Sequence, residues 1–372
     1  MALIDFKVLP GIDKQDTTSG AENRWVDCDN TRFRYGLPEK VGGWSSLVTD
    51  TIVGVARREF AFVDLDGNRY VAIGTDKFLL IYFEGQLYDI TPLKTTLTSA
   101  TLATTNTSAI CSITTGTNHN LSVGDIVLLD TVTLPVGTGY VDADFENKLF
   151  QVTSITSATV FTITQSTAAT ATVGTGGSLS VKPYEQVGPA EQSYGYGWGI
   201  DTWSSGKWGE AASASDVSLE PGLWSLSNFG QVLVSTIANG KTFTWNAGDA
   251  ARLTTRASTA TSGFETTNNP TATRVTLISP TTRHLIHLGT ETTIGDPTTQ
   301  DDMFIRFSDQ EDINDYVPTA INSAGSQRLQ DGTKIIGSLK AKESILVWTD
   351  NALYTMKFIG SPFTFGFEQV GT

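Results

Sequence analysis

At 372 residues and 40.0 kDa the chain exceeds the usual size of one domain, which leaves two domains or one large β architecture. Its 25 Lys and Arg against 39 Asp and Glu give a formal charge of −14; this excludes a protein built chiefly to grip nucleic-acid backbone, which needs clustered cations. Charged residues at 17% are too few for a coiled coil, whereas 55 threonines, with Val, Phe, Tyr and Trp, suit the pleated, half-buried surface of β structure.

The start, Met1-Ala2-Leu3-Ile4-Asp5-Phe6-Lys7, carries an acid and no apolar stretch, so it does not read as a signal peptide. No apolar run reaches 18 residues, and the expectation is a soluble product made in the cytoplasm. Residues 1–50 read as an N-terminal arm with the first strands. Residues 51–94 read as one propeller blade. Glu59 to Val63 is apolar and ends at Asp64-Leu65-Asp66-Gly67-Asn68, whose Asp-Gly step favours a tight hairpin. Arg69 to Gly74, Lys77 to Phe83 and Leu87 to Ile90 complete four short strands joined by tight turns.

Residues 95–185 break that grammar. Between 95 and 181 the charged residues are Asp125, Asp130, Asp142, Asp144, Glu146 and Lys148, and Thr, Ser, Ala and Gly fill the gaps. Strand patterns at Ile126 to Leu129, Lys148 to Ile155 and Thr159 to Ile163 predict an inserted small β-barrel or β-sandwich. Further blades follow over 186–372, with strands at Leu223 to Leu226, Gln231 to Thr236, Thr242 to Trp245, Arg274 to Ile278, Arg283 to Leu288 and Met303 to Phe307. A last unit runs through Lys334 to Gly337, Ser344 to Trp348, Ala352 to Met356 and Phe363 to Phe367. The fold class expected is all-β, a propeller-like platform of four-stranded meanders carrying an inserted β module. Because the sequence stops at Gln369-Val370-Gly371-Thr372 directly after a strand pattern, a C-terminal remainder is expected.

Few residues point to catalysis. Cys28 and Cys111 lie far apart and form no metal or disulfide framework. His284 and His287, three apart on a strand, would face opposite sides and cannot share a metal. No Gly-x-Ser-x-Gly elbow supports a serine triad. Asp64, Asp66 and Asn68 match half a calcium loop, but Thr75 stands where a bidentate Glu is needed, so a hairpin turn is the stronger reading. Asp309, Glu311, Asp312 and Asp315 form a dense acidic group; a solvated loop is the default, with cation or basic-partner binding and glycosidase-type carboxylates as competitors. No cofactor is expected. Tyr194, Tyr196, Trp198, Trp203 and Trp208 alternate with glycines between 194 and 209, with no helix to make a nucleotide loop. Close backbones and large indole surfaces favour a buried interface, with sugar stacking as the alternative.

That aromatic-glycine loop precedes Trp224-Ser225-Leu226-Ser227-Asn228-Phe229-Gly230-Gln231. Then come Arg306-Phe307-Ser308-Asp309, Tyr316-Val317-Pro318, Leu329-Gln330-Asp331-Gly332 and Leu346 to Met356. The order resembles the tail hub, or nozzle, proteins of short-tailed bacteriophages, including the packaged-DNA stabilisation proteins. Asn30 to Arg34 and Glu39 to Trp44 are similar to that family's opening, although Val41 stands where a basic residue is expected. The resemblance implies a structural virion protein, without enzymatic activity, in the phage tail. It also implies a ring of six subunits below the portal and adaptor proteins, holding tail fibres or spikes. Double-stranded DNA would pass through the ring without specific binding. On that reading the excess acid faces the channel, and Arg24, Arg32 and Arg34 turn toward partner proteins. The alternatives are a glycan-binding propeller stacking sugars on Trp198, Trp203 and Trp208, and a hydrolase using the carboxylates near Asp309.

Overall fold

The computed structural model describes residues 8–43, 45–46, 48, 50–188, 191, 220–259, 269–360 and 363–371. The chain divides into two compact units, Met1–Thr49 and Asp50–Thr372. In the first, β1 (Leu9–Ile12) runs parallel to β2 (Arg24–Trp25), while β3 (Thr31–Arg34) and β4 (Leu37–Lys40) make a hairpin. Tyr35 and Gly36 both take positive φ at its turn, the geometry whose twist matches right-handed strands.

In the second unit, short alternating runs separated by Gly, Asn and Asp turns fold as antiparallel meanders. β5 (Ala56–Val63), β6 (Arg69–Thr75), β7 (Leu79–Phe83) and β8 (Gln86–Asp89) pair in sequence order. The next six strands, β9 (Leu97–Thr104), β10 (Ile110–Thr114), β11 (Ile126–Thr133), β12 (Lys148–Ser157), β13 (Val160–Thr164) and β14 (Val173–Pro183), close into a barrel. Its strand order is β10-β13-β12-β11-β14-β9. β15 (Trp224–Phe229), β16 (Val232–Ile237) and β17 (Thr242–Asn246) form a three-stranded meander. Two four-stranded meanders follow: β18 (Thr273–Ile278), β19 (Leu285–Thr290), β20 (Phe304–Phe307) and β21 (Gly325–Arg328), then β22 (Ile335–Lys340), β23 (Ile345–Thr349), β24 (Leu353–Gly360) and β25 (Thr364–Gly371). Among the described residues the helical pieces are two three-residue 3-10 turns, Asp142–Asp144 and Pro297–Thr299, and no helix is long and apolar enough to cross a membrane.

The protein is therefore all-β, a propeller-like platform of meanders with an inserted module, as the patterning predicts. The choice the sequence left open is resolved as a closed barrel. The first strand of each meander lies innermost: β15 packs against β5 and β18, and β18 against β22. All four border one cavity. Trp224 at the start of β15 is 3% exposed and lies flat against Gly74 of β6, donating its indole N–H to the Thr75 carbonyl at 2.9 Å. A Cβ on Gly74 would stand 2.6 Å from the indole, so only glycine admits this approach. Behind the seam Phe62, Tyr70, Phe83 and Trp245 pack ring on ring, joining the first two meanders in one core. Leu277, Ile286, Ile305, Val347, Tyr354 and Phe365 join the last two.

The barrel has its own core, with Leu102, Cys111, Ile113, Val127, Phe161 and Val181 wholly buried. It is held to the first meander where its two ends meet. Leu93 and Tyr184 form a β-bridge flanked by backbone bonds from Lys94 N to Pro183 O and from Glu185 N to Pro92 O. The buried Tyr184 hydroxyl donates to Asp89 at 2.6 Å and accepts from Arg256 at 2.6 Å, and Arg256 also pairs with Asp89 at 2.9 Å. Burial and the charge of Asp89 raise the Tyr184 pKa, so the phenol remains a donor. Ile126 and Leu128 of the barrel cover Phe78 and Leu80.

Because both ends of the barrel sit side by side and the Tyr184 cluster lies outside it, replacing residues 95–181 with a short Gly-Ser bridge should leave the meanders folded. Stability should drop, since Phe78 and Leu80 lose their cover. Far-UV circular dichroism and urea unfolding of the deletion variant test this; a product without a cooperative transition would show that the barrel is not separable.

Candidate functional site

A cavity of about 430 Å³ lies where the first strands converge. Side chains two apart on a strand share a face, so Arg58 and Phe60 of β5 both reach it, as do Ile336, Ser338 and Lys340 of β22. Arg274 of β18 and Glu220, just before β15, complete its charged lining. Glu220 is fully engaged: one oxygen accepts from Lys334 at 2.9 Å and the other from Arg274 at 2.5 Å. These cations hold its pKa below the usual range, Lys334 first, against a smaller opposing effect of burial. Arg274 also reaches Asp302 at 3.3 Å. Lys340 Nζ donates to the buried Ser227 hydroxyl at 2.7 Å. Sequence reasoning missed this group, although a visible signal existed: a cation recurs in the first strand of three meanders, as Arg58, Arg274 and Lys340.

The acidic group singled out from sequence lies in the loop between β20 and β21, and its carboxylates are taken up locally. Asp309 Oδ1 accepts from Ser323 N at 2.7 Å and Ser323 Oγ at 2.6 Å. Asp312 accepts from Asn314 N, Asp315 from Val317 N and Asn322 Nδ2, and Glu311 pairs with Arg283 at 3.4 Å. Ile313 and Tyr316 anchor the loop in a buried cluster. Burial opposes ionisation of Asp309, but the bonds from Ser323 and Gln310 outweigh it and lower its pKa. His284 Nε2 lies 2.9 Å from the same Ser323 hydroxyl. Here the serine sits between histidine and aspartate and donates to the acid, whereas in a serine triad the histidine lies between the other two.

The calcium-like segment folds as the hairpin turn: Asp64 Oδ1 accepts from Asp66 N and Asn68 N, both at 2.9 Å, and Oδ2 from Asn68 Nδ2 and Tyr70. Among the described residues no three His, Cys, Asp or Glu gather as metal ligands. In the N-terminal unit Arg24 meets Asp13 at 3.6 Å, Arg32 meets Glu39 at 3.1 Å, and Arg34 lies 5.3 Å over the Tyr35 ring; all three arginines are exposed. Tyr194, Tyr196, Trp198, Trp203 and Trp208 lie outside the described residues.

The two histidines near β19 are structural. His287 is wholly buried between Thr273 Oγ1 and the Tyr316 hydroxyl, each 3.0 Å away. Burial, then the charge of Arg306, lowers its pKa to about 3, and burial lowers that of His284 to about 4.

No family model matches the chain, and no curated protein is similar to it. Among solved structures, the chain is similar to a "Phage phi92 endosialidase" at 13% identity and a TM-score of 0.26. That alignment takes in 82% of this chain but spans only 46% of the other, and a likeness at this score supports no assignment.

The histidines give a testable pH dependence. Unfolded, each titrates near 6.5; folded, at about 4 and about 3. The unfolded chain therefore binds more protons between these values, and stability is full above pH 6.5 and falls as pH drops through the window. Each histidine should account for a loss of ~3 kcal/mol by pH 4. In urea unfolding from pH 7 to 4, His287→Gln should flatten the slope relative to the unsubstituted chain; parallel slopes would contradict the assignment.

Proposed function

We propose that the chain is a structural virion protein, a tail hub or nozzle subunit of a short-tailed phage. The observation that carries this reading is the pairing of a meander platform with a barrel inserted after its first meander. Two of the fragments similar to the hub family fall within that platform. Trp224 to Gln231 spans β15 and its turn, where Trp224 makes the seam, and Leu346 to Met356 spans β23 and β24. Fragments with this placement serve packing and hairpin geometry, as suits a protein whose work is mechanical. The local satisfaction of Asp309, Asp312, Asp315 and Asp64 also fits a role without catalysis.

On this proposal six copies close a ring below the portal and adaptor, carry tail fibres or spikes, and form a tube that retains packaged DNA until infection. The net charge of −14 suits a wall that duplex DNA passes without sticking, because acid repels phosphate and releases no counterions. Arg24, Arg32 and Arg34, exposed on the N-terminal unit, would face partner proteins. A second reading, a ligand-binding propeller, is favoured by one observation, the cation-lined axial cavity.

Native mass measurement of the purified full chain separates the two. A closed ring is the expected result, and Trp203→Ala with Trp208→Ala should weaken it if those indoles seal subunit contacts. A monomer at every concentration tested would overturn the hub reading.

A further inference from the structure

The charges of the axial cavity do not balance. Arg274 is engaged by Glu220 and Asp302, and the second oxygen of Glu220 by Lys334. Arg58 and Lys340 face the same space, and among the described residues neither pairs with an acid. Lys340 is exposed as a residue, but its ammonium is drawn to the buried Ser227 hydroxyl; partial desolvation there, and then Arg58, lower its pKa. Two like charges lining one cavity from different meanders are unfavourable until an anion enters between them.

The remaining walls define the rest of the ligand. Phe60, Leu223, Leu226, Val275 and Leu277 border the space together with the hydroxyls of Ser225, Thr276 and Ser338, so apolar and polar wall lie beside its charges. Its volume of about 430 Å³ is several times what one phosphate ion occupies and lies in the range of small-molecule sites. We propose that this cavity binds a small organic anion, its carboxylate or phosphate held between Arg58 and Lys340 and its apolar body against the leucine-rich wall. This inference does not depend on ring assembly.

Isothermal titration of the full chain at constant ionic strength tests it with four probes: benzoate, phenyl phosphate, inorganic phosphate and benzyl alcohol. Phenyl phosphate or benzoate should bind at least tenfold tighter than inorganic phosphate and benzyl alcohol, and whichever of the two binds better identifies the head group. Arg58→Gln and Lys340→Gln should each weaken that binding at least tenfold, while Arg58→Lys, which keeps the charge, should stay within a few-fold. Arg34→Gln, on the N-terminal unit, should change nothing. Absence of binding by every probe, equal binding of benzyl alcohol, or unchanged affinity in both Gln variants overturns the proposal.

Discussion

The structure depends on how closely the first strands of its meanders can approach one another around the axis. At the contact between the first two meanders this distance is set by Trp224 lying on the bare backbone of Gly74, with the indole N–H fixed on the Thr75 carbonyl. Nothing larger than glycine fits there. From this seam follow the shared aromatic core behind it, the position of β15 beside β5, and the width of the cavity in front. The barrel, by contrast, has an independent core and meets the platform where Tyr184, Asp89 and Arg256 join and where Ile126 and Leu128 cover Phe78 and Leu80.

Polar contacts fix register where the cores alone would not. Between the second and third meanders Thr236 Oγ1 lies 2.8 Å from both Thr242 Oγ1 and Thr276 Oγ1, all buried. Alongside, Thr273 joins Thr290 and His287, and His287 joins Tyr316. A slip of one residue would turn these hydroxyls away from their partners and leave them unpaired in a dry interior, a cost that apolar side chains would not impose. The abundance of threonine thus reflects more than strand propensity: part of it builds the joints between meanders.

Much of this fold was legible. Asp-Gly and Asn-Gly turns, period-two alternation and aromatic strand ends located the meanders around Phe60, Val232 and Val347. In the N-terminal unit β1 to β4 were not placed individually, and in the second unit the strands that escaped reading were β9, β10, β14 and β21. In β9 the inward positions include Ala100 and Thr104, small or polar side chains, and β14 opens on Gly174, Gly176 and Gly177, so in both the apolar signal is faint. Gly325 to Arg328 is an outer strand with no apolar residue at all. The axial cations were missed for a different reason. Arg58, Arg274 and Lys340 are far apart in sequence and come together only when the first strands converge, which no local pattern records. The acidic loop was conspicuous in sequence because its charges are contiguous, yet those charges are spent on the loop itself.

The account rests on the Trp224 seam joining the first two meanders into one cooperative body, and Gly74→Ala probes it most directly. The added methyl must push the indole off the sheet, and such overpacking costs about 1–3 kcal/mol. Urea unfolding with hydrogen exchange read on β6 and β15 should show that loss, with amide protection falling in both strands together. Unchanged stability, or loss of protection in β6 alone, would contradict the claim that this contact holds the platform together.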